Sequence, residues 1–201
     1  MTINKLESPF MTTIQVILLC AGRGTRFDVT GKSSKLLALL PSGKVVLEAA
    51  LDNLLAANLH PLAIVNSSQD QIKFFLTQQG ILWIESPEAD QGMGYSIATG
   101  VRRSEGADGW LICLGDMPYV SSETIAQLLT TIEQHPQSIV APIYQGQRGH
   151  PVFIPAIFKQ DLLDLQKDEG PRHLMKHGPV VLMDTNDAGI LYDIDQPSDL
   201  V

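Results

Sequence analysis

Four of the chain's 14 lysine and arginine residues, Arg23, Arg26, Lys32 and Lys35, fall in one short stretch, Ile17–Leu37, of a chain whose net charge is −8. They follow the small residues Cys20-Ala21-Gly22, which let backbone N–H groups come close to an anion. Arginine grips phosphate oxygens with two parallel hydrogen bonds, and lysine supplies a compact charge. Far along the chain, Asp116 stands between Gly115 and Met117-Pro118, just after the apolar run Trp110–Leu114. A carboxylate at the end of such a run suits a hard cation such as Mg²⁺ that bridges phosphate oxygens, with the capping of a turn as its structural alternative. The chemistry these residues suggest is polyphosphate handling with the help of a metal ion.

Two familiar phosphate motifs do not fit. A Walker loop ending in Gly31-Lys32-Ser33 needs a glycine where Arg26 stands. A dinucleotide fingerprint starting at Gly22-Arg23-Gly24 needs a third glycine where Phe27 stands, and an acidic residue at the end of the second strand, where Asn66 stands. What remains is a triphosphate loop of another kind. No Ser-His-Asp or Cys-His constellation accompanies it.

The elements that must position this loop alternate between short β-branched runs and longer amphipathic ones, the pattern of parallel βαβ units. Strands are expected at Ile14–Leu19, Leu62–Val65, Ile81–Ile84, Trp110–Leu114, Ser138–Ala141, Val180–Met183 and Leu191–Ile194, with a hairpin over Ile143–Ile154. Helices are expected at Val46–Ala57, Gln69–Gln79, Gly92–Arg102, Ala156–Gln166 and Arg172–Lys176, and from Ser121, a plausible N-cap, to about Gln134. The 201 residues suit one domain, here 14–201 behind an N-terminal extension at 1–13. Ligands in such sheets bind beyond the carboxyl ends of the strands.

The acidic balance, with a sequence pI near 5.0, argues against nucleic acid or an anionic membrane as the main partner. The two cysteines, Cys20 and Cys113, are too few for a disulfide framework and read as small buried hydrophobes. No stretch approaches the roughly 18 apolar residues of a membrane span, and a reducing cytoplasm is the expected compartment.

Leu19-x-Ala21-Gly22-x-x-x-Arg26 followed by Lys35-Leu36-Leu37 resembles the signature of nucleotidyltransferases that use a nucleoside triphosphate. The resemblance is strongest to the molybdenum-cofactor cytidylyl- and guanylyltransferases. It continues, in the family's order, through Gly92-Met93-Gly94-Tyr95-Ser96, Leu114-Gly115-Asp116-Met117-Pro118, Arg148-Gly149-His150-Pro151-Val152, Asp168-Glu169-Gly170-Pro171-Arg172 and Asp193-Ile194-Asp195-Gln196-Pro197. The gap between arginine and lysine is longer here than is usual in the family, so Lys35 is the better match while Lys32 stays open.

The resemblance implies a single-domain, three-layer α/β/α fold, Rossmann-like, with a mostly parallel sheet of the nucleotidyltransferase (glycosyltransferase-A-like) type. It implies that a phosphate monoester attacks the α-phosphorus of the triphosphate and expels pyrophosphate. Arg26, Lys35 and Asp116 are the implied catalytic residues; Cys20, Ala21, Gly22, Arg23, Gly92 and Ser96 border the nucleotide. Arg148, His150 and Arg172, with Asp168, fall in the half facing the second substrate, although His150 reads equally as structural. Mg²⁺ is implied on Asp116 and Asp195. Ala21 resembles the cytidine-using subgroup, so the implied partners are CTP and molybdopterin, with a molybdoenzyme or its chaperone as recipient. GTP, a sugar or polyol phosphate acceptor, and a non-catalytic cofactor-delivery module are the alternatives.

Overall fold

Strand runs that are apolar at every position need cover on both faces. The computed structural model describes residues 12–30, 33–167 and 170–201, and its eight strands form one mixed sheet. They are β1 (Ile14–Leu19), β2 (Leu62–Val65), β3 (Trp83–Glu85), β4 (Gly109–Leu114), β5 (Ile139–Tyr144), β6 (Gln147–Arg148), β7 (Val152–Pro155) and β8 (Val180–Asp184). The order is β3-β2-β1-β4-β7-β5, with β8 beside β5. Strands β3, β2, β1 and β4 run parallel, β7 is antiparallel to β4 and β5, and β8 is parallel to β5.

Side chains two apart on a strand share a face, and the core divides accordingly. Val16, Leu18 and Cys20 of β1 and its end, with Leu111 and Cys113 of β4, pack on one side. There they meet Leu47, Leu51 and Leu54 of α1 (Val46–Ala56), Ile72 and Leu76 of α2 (Asp70–Gln78), and Ile125, Leu128 and Ile132 of α4 (Ser122–Gln134). Ile17 of β1 with Trp110 and Ile112 of β4 packs on the other side, against Ile97 and Val101 of α3 (Met93–Arg102) and Leu162 of α5 (Lys159–Leu163). Each fully buried aliphatic side chain contributes about 1.5–3 kcal/mol. The result is the expected three-layer α/β/α domain. The Ser121 hydroxyl caps α4 by accepting from the Thr124 backbone N–H at 3.1 Å.

Three expectations change. Leu191–Ile194 is not a strand: a single tight turn covers Ala188–Leu191, and the backbone after it is irregular. Its hydrogen bonds go to loops rather than to one ladder: the Ile194 N–H donates to the Asp116 carbonyl, and the Ile190 carbonyl accepts from the His150 N–H. The hairpin around Gln145-Gly146 forms, with both turn residues at positive φ (48° and 80°) as a two-residue hairpin requires. Its returning arm pairs with β5 through Arg148 and, after a break, continues as β7, which lies between β4 and β5 and pairs with both. Ala156–Gln166 is helical only in part, as a tight turn at Ala156–Phe158 followed by α5. Of the extension expected at 1–13, residues 1–11 lie outside the described residues, as do Lys32 and Asp168. Thr13 is tied down, its N–H donating to Asp108 Oδ2 at 2.8 Å.

Candidate active site

In a sheet of this order the chain turns from β1 toward β2 and β3 on one side and places β4 on the other. The carboxyl ends of β1 and β4 therefore flank the switch point where such sheets bind ligands. The loop after β1 and the loop after β4 both open there. Gly24 takes φ +60°, a conformation that favours glycine, and its carbonyl accepts from the N–H groups of Phe27 and Asp28. The Asp28 carboxylate then gathers the loop, accepting from the Thr30 N–H, the Thr30 hydroxyl and the Ser33 N–H. Those bonds lower its pKa to about 2. The loop ends in one tight turn, Lys35–Leu37, anchored by buried Leu36.

Lys35 is thereby turned into the cleft with only 11% of its side chain exposed. Its Nζ lies 2.6 Å from Asp116 Oδ2 and 2.8 Å from Asp195 Oδ1. Burial alone lowers a lysine pKa, but the carboxylates of Asp116 and Asp195 outweigh it and hold the ammonium above its ordinary range. Arg26 pairs with the other oxygen of Asp195 from a far more exposed position. The hydrogen bond from Lys35, helped by its charge and that of Arg26, holds the Asp195 carboxyl below the usual range.

Asp116 owes its position to Gly115, where a Cβ would come within 3.0 Å of Cys20 Sγ and 3.1 Å of the Leu19 carbonyl. Asp195 is set by a small turn in which Asp199 Oδ2 accepts from the Asp195 and Gln196 N–H groups at 3.0 and 2.8 Å. Buried Ile194 fixes the segment from below, and its N–H bonds the Asp116 carbonyl at 2.9 Å. That bond brings together residues nearly eighty positions apart. Asp193 joins them: Asp116, Asp193 and Asp195 each offer a carboxylate oxygen, all within 4.8 Å of one another. Burial and the charges of Asp195 and Asp116 push the Asp193 carboxyl up. Three hard oxygen donors in this arrangement suit a divalent cation such as Mg²⁺ or Mn²⁺.

A cleft of about 490 Å³ is lined by Ala21, Gly22, Arg23, Arg26, Lys35, Gly92, Ser96, Asp116 and Asp195, so most of the expected nucleotide residues come together. A neighbouring lobe of about 570 Å³ shares the β1 loop and adds Asn66, Ser68 and Gln69. Asp90 lies between the lobes, accepting from Arg23 Nε and from Asn66 Nδ2, both at 2.8 Å. Cys20 is different. Its side chain is buried in the core, and burial with the nearby Asp116 charge pushes its thiol pKa far up.

The second-substrate residues share no single cavity, although the charges of Arg172 and Arg148 both reach His150. Arg148 is exposed on β6, and Arg172 lines a separate hollow with Gly170, His173 and Lys176. His150 lines a small cavity of about 20 Å³ with Asn53, Cys113, Met117 and Pro151, its Nδ1 without a hydrogen-bond partner among the described residues. Burial pushes its pKa down to about 4, so the ring is neutral at physiological pH.

Sequence reasoning missed Asp193, Asp90 and the linking role of Asn66. For Asp193 a signal existed. Asp193-Ile194-Asp195 is a polar-apolar-polar triplet, and alternate residues of extended chain point the same way. For Asp90 and Asn66 nothing local marked the contact, because they meet only across two loops.

Fold and site together define a nucleotide-handling α/β domain in which lysine and arginine meet a carboxylate cluster at the carboxyl ends of the strands. Within that class, the chain belongs to the family of MobA-like NTP transferase domains, whose model matches residues 16–181. It is a nucleotidyltransferase. It is 26% identical to the purine catabolism protein PucB of Bacillus subtilis (strain 168), the match covering 96% of each chain. Among solved structures it resembles Rv0371c of Mycobacterium tuberculosis H37Rv in complex with manganese, with a TM-score of 0.75, 23% identity and 94% and 96% of the two chains covered. It also resembles the molybdopterin-guanine dinucleotide biosynthesis protein A of Archaeoglobus fulgidus, with a TM-score of 0.68, 16% identity and 92% and 94% covered. These structural likenesses establish the fold.

Proposed function

We propose that this protein transfers CMP from CTP to molybdopterin, with Mg²⁺, and releases pyrophosphate. The observation that carries the reading is the meeting of Arg26 and Lys35 with Asp116 and Asp195 in one cleft beside Ala21. A phosphate monoester, with a second pKa near 6, is ionised at neutral pH and needs no strong general base. Catalysis is then alignment and charge neutralisation. Lys35 and Arg26 hold the triphosphate and stabilise charge gathering on the departing pyrophosphate. Asp116 and Asp195 hold the metal ion, which when bound supplies further charge neutralisation on the phosphate oxygens. Neutral, half-buried His150 keeps a structural place in the small cavity it shares with Cys113 and Leu114.

The choice of base rests on Ala21, whose side chain narrows the space beside the strand end relative to a glycine and favours a pyrimidine. The choice of acceptor rests on the ordered motifs shared with the molybdenum-cofactor enzymes. Both are tested by measuring pyrophosphate release from CTP, GTP, ATP and UTP with Mg²⁺, with and without molybdopterin. Release from CTP that depends on molybdopterin is the expected result. Release that depends on a sugar phosphate displaces the acceptor, GTP preference displaces the base, and release from none favours a delivery module.

A further inference from the structure

The cation seated in the carboxylate cluster of the free protein is a side chain. Lys35 Nζ contacts Asp116 and Asp195 at 2.6 and 2.8 Å, and Arg26 covers the second oxygen of Asp195. These are the two cations that the proposed chemistry needs on phosphate oxygens, and they lie on the carboxylates that it needs for a metal ion. The two arrangements compete, since an ammonium and a divalent ion crowded onto the same carboxylates repel each other. Two cations also leave the cluster short. Asp193 stands within 4.8 Å of its neighbours but has no ion pair among the described residues.

We propose that Lys35 is a placeholder: it fills the Asp116–Asp193–Asp195 site in the free protein and yields it when a divalent ion and a triphosphate arrive together. The ion takes the carboxylates, and the phosphate oxygens take Lys35. Asp193, unpaired beforehand, is the carboxylate that only the divalent ion satisfies, which gives that ion its advantage over the ammonium. The inference rests on the nucleotide reading above and sharpens it: the ligand is the metal-chelated triphosphate, not the bare nucleotide or the free ion.

The energetic reason is burial. A free ion entering alone must turn Lys35 out of a cleft where it is only 11% exposed, with no new anion to receive it. A triphosphate supplies that anion, so ion and nucleotide favour each other's binding, a reciprocal coupling between two ligands. Removing the ammonium therefore removes the ion's competitor.

The test is Mn²⁺ titration followed by electron paramagnetic resonance, first without nucleotide and then with a non-hydrolysable CTP analogue. The proteins are wild type, Lys35→Met, Lys35→Gln, Asp193→Asn and Lys35→Met/Asp193→Asn, each shown to be folded by thermal melting. Both Lys35 variants should bind Mn²⁺ alone at least tenfold more tightly than wild type. Asp193→Asn should lose about tenfold, whether Lys35 is present or replaced by Met. The analogue should tighten Mn²⁺ binding by tenfold or more in wild type and by clearly less in the Lys35 variants. Lys35 variants that bind nucleotide-free Mn²⁺ no better than wild type overturn the proposal, and so does an unchanged affinity in Asp193→Asn, which leaves both Lys35 pairs in place. If the analogue binds to none of the proteins while the Lys35 variants still gain affinity for the ion, the placeholder stands and the nucleotide reading falls.

Discussion

Replacing Lys35 with alanine separates a cation held at the reacting centre from the other positive charges of the same loop. Its ammonium sits in a cleft with 11% of the side chain exposed, at 2.6 and 2.8 Å from two carboxylates. A unit charge about 4 Å from a developing negative charge contributes about 4 kcal/mol at an effective dielectric near 20. At about 1.4 kcal/mol per decade that is roughly a 10³-fold loss in kcat/KM. Arg26 has 79% of its side chain exposed, so screening reduces its share to about 1 kcal/mol and the loss to roughly fivefold. Lys32, the weaker match to the motif, should change the rate by no more than about twofold. The assay is steady-state pyrophosphate release with CTP and Mg²⁺, each variant first checked for a wild-type melting transition. A Lys32→Ala loss equal to or greater than that of Lys35→Ala would refute the alignment of the loop. An Arg26→Ala loss exceeding that of Lys35→Ala would refute the burial argument.

Asp116→Ala should abolish turnover while the protein stays folded, and near-normal pyrophosphate release would remove Asp116 from metal binding. Stability should fall in acid through His150. Its folded pKa of about 4 lies below the ordinary 6.5, so the unfolded chain takes the proton first and stability is lost as pH drops from 6.5 toward 4, by about 3 kcal/mol in all. Urea unfolding at pH 7.5 and 4.5 should show that loss in wild type and a smaller one in His150→Gln; equal losses would exclude His150 as the cause. Gly94→Ala should destabilise by about 1–3 kcal/mol, because its Cβ would meet the Gln166 backbone N and O at 2.9 Å, and an unchanged urea midpoint would contradict that packing. Asp199→Ala should slow turnover about tenfold by releasing the turn under Asp195, and Asp199→Asn, which keeps an accepting oxygen, should recover most of it in the same assay; no recovery would exclude the turn as the cause.

The parts of the fold legible in the chain were those set by near neighbours. Ile14–Leu19 reads as a doubly covered strand because every position except Gln15 is apolar, and β1 is that strand, residue for residue. Ser121 followed by a helical run reads as a cap, and its hydroxyl caps α4. The run Leu191–Ile194 reads equally well as a strand. It fails because Ile194 bonds the Asp116 loop and the residue just before the run, Ile190, bonds His150, which no local pattern announces. Likewise the hairpin expected over Ile143–Ile154 implies a returning antiparallel arm but not that the arm inserts as β7 between β4 and β5.

The candidate site divides along the same line. Residue types and spacing by themselves marked a basic, small-residue loop after the first strand as a candidate for phosphate, and placed Asp116 at the end of a buried strand, since both are properties of contiguous residues. Only the tertiary structure decided that Lys35 rather than Arg26 is the buried cation, that Asp193 stands with Asp116 and Asp195, and that His150 lines a small cavity apart from the cleft. Those outcomes depend on which loops meet where β1 and β4 part company. Burial, and with it the strength of every charge in the cleft, is a property of that meeting and not of any single stretch of chain.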